Sequence, residues 1–121
     1  MRKTWKAVVA ANYGIGTWYS EGLALGDGIG LWVALNITTA SGFTLDVSVE
    51  LFDPVAGWVA AEGTWAFAQK STSGADQLWI HPHMTAAANN IIASGVPALV
   101  RIKAVVGTAI CNFSVGVSEL L

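Results

Sequence analysis

From Phe43 to Leu51 the chain alternates without a break, with Phe43, Leu45, Val47, Val49 and Leu51 on one side and Thr44, Asp46, Ser48 and Glu50 on the other. A period of two gathers the apolar side chains on one face of an extended strand, whereas a helix would scatter them. The same alternation runs through Ile29, Leu31, Val33, Leu35 and Ile37, with Trp32, Ala34 and Asn36 opposite. Towards the C-terminus Val100, Ile102, Ala104 and Val106 oppose Arg101 and Lys103. Cys111, Phe113, Val115 and Val117 then oppose Asn112, Ser114, Gly116 and Ser118. Weaker strand signals cover Thr4 to Ala11, Trp58 to Ala61, Thr64 to Ala68 and Gln77 to His81.

Turn residues separate these runs. Asp53-Pro54-Val55-Ala56-Gly57 has a proline that presets φ and a glycine that permits reversal. Gly107-Thr108 is short enough for a hairpin between the last two strands, Ser41-Gly42 joins two strong strands, and residues 71–76 read as a polar loop. Residues 85–92 are rich in helix formers but bounded by Pro82 and Gly95, which predicts at most one short helical turn. Seven to eight short strands, about ten residues apart, predict an all-β fold, an antiparallel sandwich or barrel. The expected organisation is an N-terminal arm or edge strand over residues 1–13 and a single β-sandwich domain over 14–121.

Composition narrows the function. The chain has 121 residues, six Lys+Arg against eight Asp+Glu, and a formal net charge of −2. There is no basic surplus for a nucleic-acid-binding face. Charged residues make up 12% and hydrophobic ones 54%, with a mean hydropathy of +0.55. Even so, no apolar run approaches the roughly 18 residues a membrane span needs. The apolar stretch after Arg2-Lys3 is too short for a secretory signal, so synthesis in a cytoplasm is expected. Fourteen charged side chains cannot cover the accessible surface of a chain of this mass, on the order of 6,000 Å². Six tryptophans are also more than so small a core readily hides. Part of the apolar surface is therefore expected to be covered by other subunits.

Catalytic chemistry finds little footing. His81-Pro82-His83 has a two-residue metal-like spacing but no third ligand nearby, since Asp76 is five residues away and Glu62 lies on another element. No Gly-x-Ser-x-Gly elbow occurs, and Gly26-Asp27-Gly28-Ile29-Gly30 lacks the lysine of a phosphate loop. Asp46 and Glu50 lie about 13 Å apart along one strand, too far for paired acid–base work. Cys111 is in line with Phe113 and Val115 and reads as a buried, inert thiol. No enzyme, cofactor, metal or small-molecule substrate is expected. Trp32, Trp79 and Phe52 fall opposite the core positions and so are expected outward, as sugar-stacking platforms, as protein contacts, or as caps on the sheet edges beneath loops.

From Gly30 onward the sequence resembles a group of small tailed-bacteriophage virion proteins of the capsid-decoration type. The matching features are Leu31 to Thr38 followed by Phe43 to Leu51, the Asp53-Pro54-Val55-Ala56-Gly57 turn, and Leu78-Trp-Ile-His-Pro82 before Thr85-Ala-Ala-Ala-Asn89. Val96-Pro97 leading into Leu99-Val-Arg-Ile-Lys103 and the closing Phe113-Ser114-Val115-Gly116-Val117 complete the likeness. Two loops depart from the group, with Pro82-His83-Met84 in place of Pro-Gly and Pro97-Ala98 in place of Pro-Arg. The resemblance implies a jelly-roll sandwich that binds the major capsid protein on the capsid surface, as a homotrimer, and cements the assembled head. A minor tail or head-fibre component is the neighbouring alternative, and a carbohydrate-binding module using Trp32, Trp58 or Trp79 a further one. Candidate interface residues are Arg2, Lys3, Trp5 and Lys6 at the N-terminus, with Trp32, Phe52, Trp58 and Trp79 on the sheet.

Overall fold

Each strictly alternating segment needs a neighbour on both sides to satisfy its main chain and a facing layer to dry its apolar side. The computed structural model, which describes residues 3–61, 65–87 and 90–121, meets both needs with one sheet folded over on itself. Among the described residues nine strands occur: β1 (Thr4–Tyr13), β2 (Gly16–Tyr19), β3 (Leu23–Ala24), β4 (Gly30–Asp53), β5 (Gly57–Ala60), β6 (Lys70–Ile80), β7 (Ile91–Ile92), β8 (Leu99–Gly107) and β9 (Cys111–Leu120).

Two long antiparallel ribbons build the sheet. In the inner one the chain turns at 53–57 and returns along a single edge of β4. Asp53 pairs with Gly57 and Glu50 with Ala60 in β5, Ser48 bridges to Ala66, and Ile37 pairs with Gly74 and Leu31 with Ile80 in β6. In the outer ribbon β1 lies along β9, from Thr4↔Ser118 to Tyr13↔Cys111, while β2 and β3 lie along β8. The ribbons join side by side, β9 on the first half of β4 and β8 on the second. Bending both ribbons gives one layer ordered β1-β9-β4-β6-β7 and a facing layer in which β8 lies between β2/β3 and β4, with β5 beyond. This wrapping of paired ribbons is jelly-roll topology, within the expected all-β sandwich class.

The core lies between the layers. Leu31, Val33, Leu35 and Ile37 from the first half of β4 join Phe113, Val115 and Val117 of β9. Phe43, Leu45, Val47 and Val49 from its second half join Val100, Ile102, Ala104 and Val106 of β8 in the same cluster. The alternation assigned all of these to the core correctly. Ile29 is the exception: it precedes β4 and is 41% exposed.

Several local expectations are corrected. Ser41-Gly42 does not separate two strands, because β4 runs unbroken for 24 residues. It turns the corner through register shifts between Ile37, Ser41 and Leu45, with Gly42 at a φ of 91° that side chains disfavour. Residues 71–76 belong to β6 and not to a loop; their polarity reflects an exposed position, and their main chain is held by β4 around the bend. Gly107-Thr108 closes no hairpin. The apolar faces of β8 and β9 look at each other across the core, so the turn carries the chain between layers, with Thr108 at a φ of 70°. At 85–92, where at most one short helical turn is expected, the described residues form no helix, and the Asn90 and Ile91 N–H groups both reach back to the Ala87 carbonyl in a single turn. Ala87 and Ile91 exchange backbone hydrogen bonds, and Ile91–Ile92 adds to β6 as the one parallel pair among the described strands; residues 88–89 lie outside the described residues.

Candidate functional site: two outer faces of unlike charge

Of the six tryptophans only Trp65 is buried, in residues 65–67, where its carbonyl accepts the Val49 N–H. The other five stand at the surface or half-buried. Register sorts them into groups that linear sequence separates.

On the first layer Trp32 and Trp79 are cross-strand partners. Their ring centroids are 5.7 Å apart, and the Trp32 indole N–H donates to Gln77 Oε1 at 3.2 Å. The same face carries Ala34, Asn36 and Ala75 with Ser114, Gly116 and Ser118 of β9. Among the described residues Lys6, on β1, is its one charged side chain.

The second layer's outer face differs. Arg101, facing Glu50 across the ladder, donates from Nε to Glu50 Oε1 at 2.8 Å, and its Nη2 lies 2.8 Å from the same oxygen. Its guanidinium sits 4.0 Å from the Tyr19 ring centroid and 4.6 Å from that of Trp58. Phe52 meets Trp58 edge-on at 5.3 Å. A planar cation held between two aromatic faces and a carboxylate loses little freedom on meeting a partner. Sequence reading reached Phe52 and Trp58 but missed Tyr19 and Arg101. Alternation placed Arg101 outward, yet its stacking depends on the β2–β8–β4–β5 register. Substituting Arg101 by alanine strands the nearly buried Glu50 carboxylate and frees both rings. It is expected to cost about 1–2 kcal/mol in urea unfolding and to shift Trp58 emission.

The N-terminal candidates lie along β1. Trp5 pairs with Val117 and packs against the core, so it is turned inward, while Lys6 faces out. Lys3 Nζ donates to the Ala24 carbonyl at 3.1 Å. Arg2 lies outside the described residues. Beside them is a feature that sequence reading did not single out. Glu119, fully buried, accepts the backbone N–H groups of Lys3 at 2.7 Å, Gly26 at 2.8 Å and Gly28 at 3.3 Å. Burial pushes its pKa up, but the three donors and the Lys3 charge outweigh it and hold the carboxyl below its ordinary value. A Cβ on Gly28 would lie 2.9 Å from that carboxylate, which is why the loop needs glycine there.

The remaining chemical candidates are structurally committed. His81 Nε2 lies 3.0 Å from the Leu121 carbonyl, and His81 Nδ1 accepts the His83 N–H at 3.1 Å. No group of three metal-ligating residues forms among the described residues. Cys111 is buried, and burial pushes its thiol pKa up against a hydrogen bond with Thr39.

Comparison with known proteins bears on the fold. No known family's sequence profile matches the chain, and no curated protein matches it in sequence. Among solved structures it is similar to one chain in the structure of infectious bursal disease virus, Gx strain, with 13% identity, a TM-score of 0.57, and 98% of this chain covered but 31% of that one. The Gt strain structure gives 13% identity and a TM-score of 0.56, covering 98% of this chain and 33% of that one. The chain thus spans about a third of the viral chains whose fold it shares.

Proposed function

We propose that this chain is a structural protein of a virion and that it decorates and cements an assembled head. The observation that carries this reading is a jelly roll with a core of its own that nevertheless leaves four of its six tryptophans neither in that core nor packed against it. Supporting it are the fold shared with the virus structures and the likeness of residues 30–121 to phage decoration proteins. The reading places the protein on the capsid surface as a homotrimer bound to the major capsid protein, after synthesis in the host cytoplasm. It assigns no catalytic step, cofactor or nucleic-acid contact.

The mechanism is mass action. A protein that binds the expanded shell and not its precursor stabilises the expanded state. Repetition around a symmetry axis adds modest contacts through avidity. The Tyr19–Arg101–Trp58–Phe52 cluster has the aromatic and arginine composition that dominates binding energy at interfaces, which makes it the docking patch of choice. Co-sedimentation with purified expanded heads is expected to retain the protein, and unexpanded heads to leave it in solution. Trp58→Ala is expected to weaken retention by about tenfold or more. Equal retention on both head forms, or on neither, would exclude cementing. Antibody label on the tail in electron micrographs would instead favour a tail or fibre component. One observation favours a carbohydrate-binding module, the outward Trp32–Trp79 pair beside the Gln77 amide. Titration heat with oligosaccharides that vanishes in Trp79→Ala would establish that alternative.

A further inference from the structure

We propose that the charge-poor outer face of the first layer and the open edge between β1 and β2 are two halves of one contact, joining copies of this chain head to tail. The proposal rests on the self-assembly part of the reading above and not on attachment to a shell.

The first observation is how charge divides between the layers. The outer face of the second layer carries Asp46, Glu50, Arg101 and Lys103, while the first layer's outer face carries, among the described residues, Lys6 alone on its outermost strand. A face kept in water has no reason to exclude charge. A face that is covered does, because each charge on it would be desolvated.

The second observation lies at the rim of the sandwich. Val9 is 62% exposed, Ile15 66%, Trp18 41% and Tyr19 50%. Val9, Trp18 and Tyr19 line a groove of about 450 Å³ where β1 and β2 leave the layers open, together with Trp5, Tyr13 and Leu23, and Ile15 lies in the turn between those two strands.

A second copy covers both surfaces at once. On the face, the Trp32–Trp79 pair stands beside Ala34 and Gly116, a ridge next to a shallow floor, and the groove has room for such a ridge. The charges are compatible: the face carries only Lys6, which also borders the groove, and the groove supplies Glu21 as a charge of opposite sign. The area suffices. Four strands about 4.8 Å apart and about eight residues long present roughly 500 Å². Covering that buries on the order of 1,000 Å² in total, the lower bound for a specific interface. Because the edge of a sandwich stands at roughly a right angle to its faces, repeating an edge-on-face contact closes a ring after about three or four copies.

Sedimentation of the pure protein from micromolar to millimolar concentration tests this contact. The wild type is expected to run as one closed species of three or four copies. Ala34→Glu on the face and Trp18→Glu on the edge are each expected to run as monomers with unchanged far-UV circular dichroism, and Ala60→Glu on the other layer as wild type. Mixing the two monomeric variants is expected to give one-to-one heterodimers, since one retains an intact edge and the other an intact face. Should either variant lose its fold, Gln77→Glu and Val9→Glu take their places. A wild type that stays monomeric throughout overturns the proposal even if it binds heads. So do face and edge variants that keep the wild-type mass. A mixture that remains monomeric rules out head-to-tail pairing.

Discussion

Glu119→Gln is expected to lower the melting temperature at neutral pH by on the order of 10 °C, and to flatten the loss of stability on acidification. The carboxylate offers two oxygens to three backbone donors in a site without water access. An amide offers one oxygen and turns its own N–H groups towards the remaining donors. Lys3 and the Gly26–Gly28 loop then lose their tie to the end of β9, with each unmet donor paying its desolvation cost. Since Glu119's pKa is lower in the folded than in the unfolded chain, its contribution is full above the unfolded value of about 4.3. It is lost as pH falls through the folded value. Asp76 acts in the same direction. Burial opposes its ionisation, but Lys70 at 2.6 Å and the Gln77 N–H outweigh burial and lower its pKa. Thermal melts from pH 7 down to pH 2 should therefore show a smaller acid-induced drop in Glu119→Gln than in wild type, with Asp76 contributing to the drop that remains. Parallel curves for the two proteins would mean that the Glu119 carboxylate is not a folded-state anchor.

Phe113→Ala is expected to cost about 3–5 kcal/mol, a large share of the roughly 5–15 kcal/mol that holds a domain of this size folded. Phe113 is fully buried, pairs with Ile37 on β4, and lies 4.8 Å from the Tyr13 ring. It thereby ties both halves of the first layer to the corner where β1 and β9 meet the second. Removing the ring leaves a cavity between two sheets whose hydrogen-bonded frames cannot collapse into it. Urea unfolding should show a lower midpoint with an unchanged slope, the mark of lost stability without a changed denatured state. Phe52→Ala, on the outer face, should stay within about 1 kcal/mol of wild type. If the two substitutions cost the same, the layers do not pack as described.

How much could be read without coordinates depended on the range of the interaction. Alternation along 31–37, 43–49, 100–106 and 111–117 assigned sixteen of the twenty-two buried core residues described, because in a strand the face a side chain takes is decided by its immediate neighbours. The same logic turned Trp32, Phe52 and Trp79 outward. It could not detect that Ser71 to Asp76 form a strand, since their pairing energy comes from β4, some forty residues earlier in the chain. Nor could it separate a hairpin at Gly107-Thr108 from a crossover, because both use the same turn chemistry. Glu119 sits within an alternating run, and its three donors come from the other end of the chain.

The linear order of residues thus determined most strand identities, the inward and outward faces, and a composition poor in charge. Tertiary structure alone decided which aromatic residues stand together, that charge divides between the two layers, and that one buried carboxylate fastens the chain's ends. The physical reason is register. Periodicity orients a side chain about its own strand, but the distance between side chains on different strands is set by which main chains hydrogen-bond, and that is resolved only when the whole sheet closes.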